Sequence, residues 1–380
     1  MTPAIPSNIR TPAYVLDVAR LKKNLATAHR VKAEAGCRIL LATKAFAMPS
    51  AFPLMREVLD GTTASGEYEA RMGREEFGKE VHVYAPAYTQ EEVRSLTGIA
   101  DHVYFNSPEQ ISRFLPIVQA AKGVKAGVRI NPGYSNATLG GHLYDPGAPF
   151  SRFGTTRAEI DQIPWEAIDI FHAHTLCESL HDGSVGLIEH VAREFAPYIR
   201  RVKAVNFGGG HFMNKPGYDV DALIRAIRAF RAEFGVDVIL EPGAGLVVDA
   251  GYLVASVIGL HRNEKDIAIL DASASCHMPD VLEVPYRPPV LDAGQPGELA
   301  HSYILGGKTC MTGDIIGEYS FAKPLAIGDR IVLSDMMQYS FVKNTTFNGT
   351  PLPDIGILNE DGSYRVVRGA SYDDFRSRIA

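Results

Sequence analysis

Between about residue 35 and residue 245 one pattern recurs along the chain. A short apolar run rich in β-branched residues is followed by a polar or Gly-rich connection and then by an amphipathic stretch. This alternation is typical of β/α units. Eight strand candidates occur, the number that closes a parallel barrel. They are CRILLAT (37–43), DGTTAS (60–65), EVHVYA (80–85), DHVYFN (101–106), KAGVRIN (125–131), AIDIFHAH (167–174), RVKAVNF (201–207) and VDVILE (236–241).

The stretches between these runs carry helix signals. In NSPEQISRFLPIVQAAK, Ser107 can cap a helix and Pro108 suits its first turn. The segment DVDALIRAIRAFRAEFG places its apolar residues on one face and ends at Gly235. DGTTAS is polar for a strand, and we include it because it brings the number of strands to the eight that close a barrel.

From about residue 250 the β/α alternation stops. Strand-like runs separated by Pro and Gly follow: YLVASVIGLHR, IAILDASAS, AHSYILGGK and DRIVLSDMMQYSFV. They indicate an all-β domain. The opening TPAYVLDV also reads as a strand and can join that domain from the other end of the chain. The sequence therefore predicts a (β/α)8 barrel over residues 20–250 and a β-domain made of residues 1–19 and 251–380.

Charge and cysteine usage narrow the classes of protein. The 380 residues carry a net charge of -6 without a long block of like charge, so a nucleic-acid or anionic-membrane partner is not expected, and a cationic substrate is tolerated. The four cysteines are widely spaced and form no CxxC pair, and no apolar run is long enough to span a bilayer. These features predict a cytoplasmic protein.

Reactive residue types follow four of the predicted strands. Lys44 ends the first, His174 the sixth, the run Gly208, Gly209 and Gly210 the seventh, and Glu241 the eighth, with Gly243 just beyond it. In a β/α barrel the active site lies where the strands end. Because strands six, seven, eight and one are neighbours in a closed ring, these residues are expected on one side of the barrel mouth.

Each residue has a functional and a structural interpretation. Desolvation of Lys44 favours the neutral amine needed for covalent catalysis, although a lysine at a strand end is more often only snorkelling. The glycine run can hold a phosphate through backbone N–H groups or can be a tight turn. Glu241 requires a cationic partner, either a protonated pyridine nitrogen or a salt bridge.

The segment FHAHTLCESLHD offers several possible metal ligands: His172, His174, Cys177, His181 and Asp182. Zinc is one interpretation, and a histidine stacked on a cofactor ring is the other. We do not predict a metal, because a zinc site would not explain why the lysine, the glycines and Glu241 follow neighbouring strands.

With these residues in place, the chain resembles the fold-type III (alanine racemase-like) pyridoxal phosphate decarboxylases over nearly its whole length. The matching stretches include TPAYVLD, ILLATKAFAM, FHAHTLCE, VNFGGGH, DVILEPG, YILGGKTCMTGDIIGEYSF and TTFNG. HMPDVLEVPYRP points to the branch that acts on carboxylated polyamines, carboxynorspermidine and carboxyspermidine. Decarboxylases of diaminopimelate, ornithine or arginine are the first alternative, and a barrel metal hydrolase is the second.

The resemblance implies a set of roles. Lys44 carries pyridoxal phosphate, His174 stacks on its ring and Glu241 contacts its nitrogen, while the glycines and Tyr339 bind its phosphate. Cys310 returns a proton to the substrate carbon, and in this family it comes from the other subunit of a homodimer, so active sites are shared. Asp271 and Asp314, together with Cys177, are expected to bind substrate. The chain departs from the pattern at Ala244, Lys308 and Pro49, where relatives tend to have Glu, Pro and Trp.

Overall fold

The computed structural model describes residues 5, 6, 8–136 and 144–380. They form two compact units. One unit is residues 24–246, and the other comprises the described residues up to Lys23 together with 247–380.

The larger unit is a closed barrel of eight parallel strands in sequential order, as predicted. The first strand pairs with the last, which closes the ring. Every predicted run contains one strand, including the polar DGTTAS. The strands are β2 (Arg38–Ala42), β3 (Gly61–Ala64), β4 (Glu80–Tyr84), β5 (His102–Phe105), β6 (Lys125–Arg129), β7 (Ile170–His172), β8 (Ala204–Asn206) and β9 (Asp237–Leu240).

The predicted helix signals act as expected. The Ser107 hydroxyl accepts a hydrogen bond from the Gln110 N–H at 3.3 Å, which caps the following helix. The helix over residues 220–234 buries its apolar face and ends at Gly235, whose φ is 69°. The helices up to residue 247 are α1 (Val18–Ala35), α2 (Phe52–Met55), α3 (Glu67–Met72), α4 (Gln90–Leu96), α5 (Pro108–Ala120), α6 (His181–Ile199), α7 (Val220–Phe234) and α8 (Ala244–Val247).

The barrel interior changes character along its axis. An apolar layer consists of Leu40, Tyr104, Ile170, Ala204 and Ile239. Two positions beyond Ile170, Ala204 and Ile239, and therefore on the same inward face, come the buried polar side chains of His172, Asn206 and Glu241. Together with the buried Arg129, which ends β6, they lie at the C-terminal ends of the strands. The polar layer places candidate chemistry at the mouth where barrel active sites form.

The smaller unit is a mixed sheet with the strand order β13-β12-β11-β10-β1-β15-β16, in which β14 pairs with β10. The predicted N-terminal strand lies between β10 and β15, so it joins segments from the C-terminal part of the chain. The strands are β1 (Ala13–Asp17), β10 (Gly251–Asn263), β11 (Lys265–Leu270), β12 (His301–Gly306), β13 (Ile315–Phe321), β14 (Arg330–Ser334), β15 (Asp354–Leu358) and β16 (Tyr364–Arg368), and the helices are α9 (Ala274–His277), α10 (Asp280–Glu283) and α11 (Tyr372–Ile379).

One predicted strand is shorter than expected. The run DRIVLSDMMQYSFV is extended only over Arg330–Ser334. Asp335 then adopts a φ of 58°, a left-handed conformation that ends the strand. In the described part of the chain no helix has the length and hydropathy that a membrane span requires.

Replacing Ile227, which α7 buries completely, tests the packing of the barrel. We expect Ile227→Ala to lower the free energy of unfolding by about 2–5 kcal/mol, because it removes buried methyl groups and leaves a cavity. The exposed neighbour Arg228 is a matched control, and Arg228→Ala should change stability by less than about 0.5 kcal/mol. Urea unfolding followed by circular dichroism measures both. Equal effects would contradict the packing of this helix face.

Candidate active site

The barrel unit brings together the four groups of residues predicted at its mouth. A Cβ atom on Gly208 would lie 2.5 Å from the His174 Cβ, and one on Gly209 would lie 2.6 Å from the main-chain oxygen of Glu241. A Cβ on Gly243 would lie 2.6 Å from the Cβ of Ala45, the residue after Lys44. The lysine, the histidine, the glycine loop and the glutamate therefore share one small region.

Lys44 follows β2 and keeps only part of its surface exposed. Burial lowers the pKa of its amine, the positive charge of Arg129 lowers it further, and the carboxylates of Glu241 and Glu69 oppose both effects. Among the described residues, none forms a hydrogen bond or ion pair with this amine. A desolvated, uncommitted amine is suited to attack a carbonyl carbon.

His174 follows β7 and is fixed on two sides. Its Nδ1 accepts a hydrogen bond from the Gly209 N–H at 3.2 Å, and its main-chain oxygen accepts one from Arg129 at 2.6 Å. Burial, followed by the charge of Lys44, holds the pKa of His174 well below its usual value. The ring is therefore neutral and carries its proton on Nε2.

The glycine loop after β8 requires the absence of side chains. Gly208 and Gly210 have φ values of 66° and 86°, which favour glycine. A Cβ on Gly210 would lie 2.3 Å from the main-chain oxygen of Leu176. Within the described chain, the N–H groups of Gly210 and Gly243 donate to no other residue, so they are available to an anion.

Glu241 is the buried carboxylate of the site, with 3% of its surface exposed. Its Oε1 accepts a hydrogen bond from Asn206 Nδ2 at 2.7 Å, and its Oε2 lies 3.5 Å from His172 Nε2. Burial acts to raise the pKa of Glu241, but His172, His82 and Asn206 outweigh it and hold the pKa at about 2. Burial lowers the pKa of His172, and the neighbouring Glu241 carboxylate opposes that shift.

Sequence reasoning missed Arg129, which ends β6. It is 5% exposed, and its guanidinium lies 4.5 Å from the ring centroid of Tyr84 and 4.6 Å from that of Phe153. These cation–π contacts and the bond to the His174 oxygen hold a cation beside Lys44. A charged residue at the end of the apolar run KAGVR was the available signal.

Three possible metal ligands do come together. Ligand atoms of His172, His174 and Glu241 lie within 4.8 Å of one another, whereas Cys177, His181 and Asp182 are not part of this group. The Nδ1 of His174 is already an acceptor for Gly209, and the cluster is flanked by Lys44 and Arg129. The guanidinium of Arg129 disfavours a divalent ion and favours an anionic or aromatic ligand.

Cys177 lies three residues beyond His174 and is half-buried. Burial and then the nearby Glu178 raise the pKa of its thiol to about 11. The thiol is therefore protonated at neutral pH and is not an activated nucleophile.

The other predicted site residues belong to the smaller unit. Cys310 is exposed, and its main-chain N–H donates to Asn348 Oδ1 at 2.8 Å. Tyr339 is half-buried in a one-turn 3-10 segment with a φ of 26°, and not in a strand as predicted. A strained backbone conformation of this kind is often found at a functional position.

The two carboxylates predicted to bind substrate differ in how many hydrogen bonds their oxygens already accept. Asp314 is buried and accepts hydrogen bonds from the Ser273 hydroxyl, the Ser275 N–H, and both the N–H and the hydroxyl of Thr309. Asp271 is half-buried and accepts from the Thr11 hydroxyl at 2.6 Å and the Ser256 N–H at 2.8 Å. Asp314 thus has less remaining capacity to bind an amine.

Comparison with known proteins places this geometry in context. The sequence profile of the family described as "Pyridoxal-dependent decarboxylase, C-terminal sheet domain" matches residues 13–337. The chain is 38% identical to the carboxynorspermidine/carboxyspermidine decarboxylase of Campylobacter jejuni subsp. jejuni serotype O:6 over 97% of this chain and 98% of that protein. It is 39% identical to the carboxyaminopropylagmatine decarboxylase of Synechocystis sp. over 98% of this chain and 96% of that protein.

A solved structure is similar over nearly the whole chain. The crystal structure of carboxynorspermidine decarboxylase complexed with norspermidine, from Campylobacter jejuni, has a TM-score of 0.91 and 37% identity, covering 97% of this chain and all (100%) of that one. A diaminopimelate decarboxylase from Helicobacter pylori shares the fold at 19% identity, with a TM-score of 0.82 and coverage of 98% and 97%.

Adding one methyl group to the glycine loop tests this geometry. Gly209→Ala places a Cβ 2.6 Å from the Glu241 oxygen and 3.2 Å from His174 Cε1, so the loop must shift. We expect decarboxylase activity to fall by roughly tenfold or more, since small displacements of reacting groups have large effects on rate. Gly98→Ala, where a Cβ would meet its nearest neighbour at 3.4 Å, should retain activity in the same assay. Full activity of Gly209→Ala would contradict the close approach.

Proposed function

Since the chain belongs to the pyridoxal-dependent decarboxylases, we propose that it releases carbon dioxide from a carboxylated polyamine, carboxynorspermidine or carboxyspermidine, to give norspermidine or spermidine. The proposal rests above all on one observation. A desolvated lysine amine lies with a glycine loop and a buried carboxylate at one barrel mouth.

The residues present fit pyridoxal phosphate. Within the described chain, Oε2 of the buried Glu241 accepts no hydrogen bond, and His172 Nε2 lies 3.5 Å from it. The amine of Lys44 and the N–H groups of Gly210 and Gly243 are similarly uncommitted within that part of the chain. An aldehyde for Lys44, a phosphate for the glycines and a protonated ring nitrogen for Glu241 would satisfy this set.

When bound, pyridoxal phosphate supplies the electron sink that decarboxylation of an amino acid requires. Lys44 would hold the cofactor through its amine and would yield to the amine of the substrate. Glu241 would keep the ring nitrogen protonated, and His174 would contact the cofactor ring. Tyr339 is proposed to reach the phosphate.

Cys310 is proposed to return a proton to the carbon that lost its carboxylate. Its exposed position is compatible with action on the site of a second subunit, so we propose a homodimer with shared active sites. The cytoplasmic location and the lack of a nucleic-acid partner remain predictions.

Carboxylates explain a preference for a polyamine over a short amino acid, because they attract the distal positive charge. We assign this role first to Asp271, whose oxygens are less occupied, and place Cys177 beside the substrate. For Asp314 we propose that it mainly holds the loop that carries Cys310, since it binds the neighbouring Thr309 through two hydrogen bonds.

The Synechocystis relative, at 39% identity, favours a second candidate, carboxyaminopropylagmatine. Its name denotes a guanidinium-bearing tail in place of the amine, and a carboxylate can bind either cation. Diaminopimelate, ornithine and arginine decarboxylation remain more distant alternatives. A metal-dependent hydrolase built on the histidines is disfavoured by the adjacent guanidinium of Arg129.

Colour tests the cofactor. We expect the purified protein to be yellow, to lose the visible band after borohydride reduction, and to lack it in Lys44→Ala, because borohydride reduces the double bond through which Lys44 would hold the cofactor and the variant has no amine to form it. Absorbance spectra measure the visible band. Lys79→Ala, which removes an exposed lysine of the barrel unit, is the control. A colourless wild-type protein with full activity would contradict the proposal.

Direct competition tests the substrate. We expect carboxynorspermidine and carboxyspermidine to have the highest kcat/KM, measured by carbon dioxide release. The substrates compared with them are carboxyaminopropylagmatine, diaminopimelate, ornithine and arginine. Asp271→Asn should raise KM for carboxynorspermidine and carboxyspermidine by roughly tenfold, the value of about one charge-assisted hydrogen bond. Preference for diaminopimelate or ornithine would refute the polyamine assignment, and preference for carboxyaminopropylagmatine would replace it with the second candidate.

A further inference from the structure

A chain of hydrogen bonds crosses the interior of the barrel. It begins at Glu80, the first residue of β4, and ends at Glu241, just after β9. Its inner members His82, Tyr104 and Asn206 have 0% of their surface exposed. Because strand interiors of β/α barrels are usually filled by branched apolar side chains, this polar path is unusual and requires an explanation.

Each link is short. His82 Nε2 lies 3.2 Å from Glu80 Oε2, and His82 Nδ1 lies 2.8 Å from the Tyr104 hydroxyl. Asn206 Nδ2 donates to that hydroxyl at 3.0 Å and to Glu241 Oε1 at 2.7 Å. The outer carboxylate is itself anchored by Arg38, whose Nη1 donates to both of its oxygens.

The partners of Asn206 determine the direction of the inner bonds. The Gly208 N–H donates to Asn206 Oδ1 at 2.8 Å, so the amide of Asn206 must present its two hydrogens to Tyr104 and Glu241. The Tyr104 oxygen accepts one of them, which leaves its own hydrogen for His82 Nδ1. The proton on His82 Nε2 then faces two acceptors, Glu80 Oε2 at 3.2 Å and His102 Nδ1 at 3.0 Å.

The chain does not carry protons. Burial, followed by the nearby charge of Glu241, keeps the pKa of the Tyr104 hydroxyl well above its usual value, so it stays neutral. The amide of Asn206 also has no proton to transfer under ordinary conditions. The arrangement therefore orients groups and does not relay charge.

We propose that Tyr104 and His82 are positioning residues which, through Asn206, fix Oε1 of Glu241 and leave Oε2 as the acceptor for the ring nitrogen of the cofactor. This inference rests on the proposed function, because it assigns Glu241 to that nitrogen. Through these hydrogen bonds, the orientation of the Glu241 carboxylate at the barrel mouth depends on His82 of β4 and Tyr104 of β5, on the other side of the ring.

The test compares two cofactors that differ only at the ring nitrogen. The full chain is freed of cofactor and titrated with pyridoxal phosphate and with its 1-deaza analogue, in which a C–H replaces the nitrogen. Tyr104→Phe keeps the ring but removes the hydroxyl. Because one hydrogen bond is lost, affinity for pyridoxal phosphate should fall on the order of fivefold, while affinity for the analogue stays within about twofold.

Two further variants separate positioning from packing. Tyr88→Phe is the matched control, since in the described part of the chain the buried Tyr88 hydroxyl binds only main-chain atoms of Val83, Ala85 and Tyr104. This variant should leave the ratio of the two affinities unchanged. His82→Gln, one link further from Glu241, should shift the ratio in the same direction as Tyr104→Phe by a smaller factor. This variant serves if Tyr104→Phe does not fold.

The outcomes are distinct. A selective loss of pyridoxal phosphate affinity supports the inference. Equal weakening of both cofactors in Tyr104→Phe and His82→Gln overturns it and leaves these residues a packing role. Failure of the wild-type chain to bind either cofactor overturns the proposed function itself, together with this inference.

Discussion

One buried carboxylate governs the organisation of the barrel mouth. Glu241 is almost inaccessible to water, so its charge must be compensated by partners within the protein. Asn206 supplies a hydrogen bond, and it is itself held by Gly208 and Tyr104. The polar character of several strand ends, in a layer that is otherwise expected to be apolar, therefore follows from the requirements of a single side chain.

The barrel strands were accessible to sequence reasoning because their apolar runs are short, β-branched and regularly spaced. DGTTAS could be assigned only from the closure of the ring, since its own residues are polar. The network around Glu241 could not be predicted in this way. Tyr104 and Asn206 are separated by 102 positions in the sequence, and their contact depends on where two non-adjacent strands fall in the closed barrel.

The β-domain was harder to predict for a different reason. Its sheet inserts the N-terminal strand β1 between β10 and β15, so sheet order does not follow chain order. The prediction identified β1 as a member, but not its register or the strands β13, β15 and β16. The prediction places Tyr339 in a strand because it falls within the run DRIVLSDMMQYSFV. Asp335 and Tyr339 both have positive φ values, a local conformation that composition does not reveal.

Local departures from ordinary folding preferences coincide at the barrel mouth. Gly208 and Gly210 replace side chains with left-handed backbone, Arg129 and Glu241 place charges in the interior, and Lys44 loses water without gaining an ionic partner in the described chain. Each departure costs stability when considered alone. A ligand that completes the missing interactions would explain why they are concentrated at one end of a barrel whose next layer is mainly apolar. The amine, the backbone N–H groups and the carboxylate complement a ligand that carries an electrophilic carbon, an anion and a cationic nitrogen, which are the groups of the cofactor proposed above.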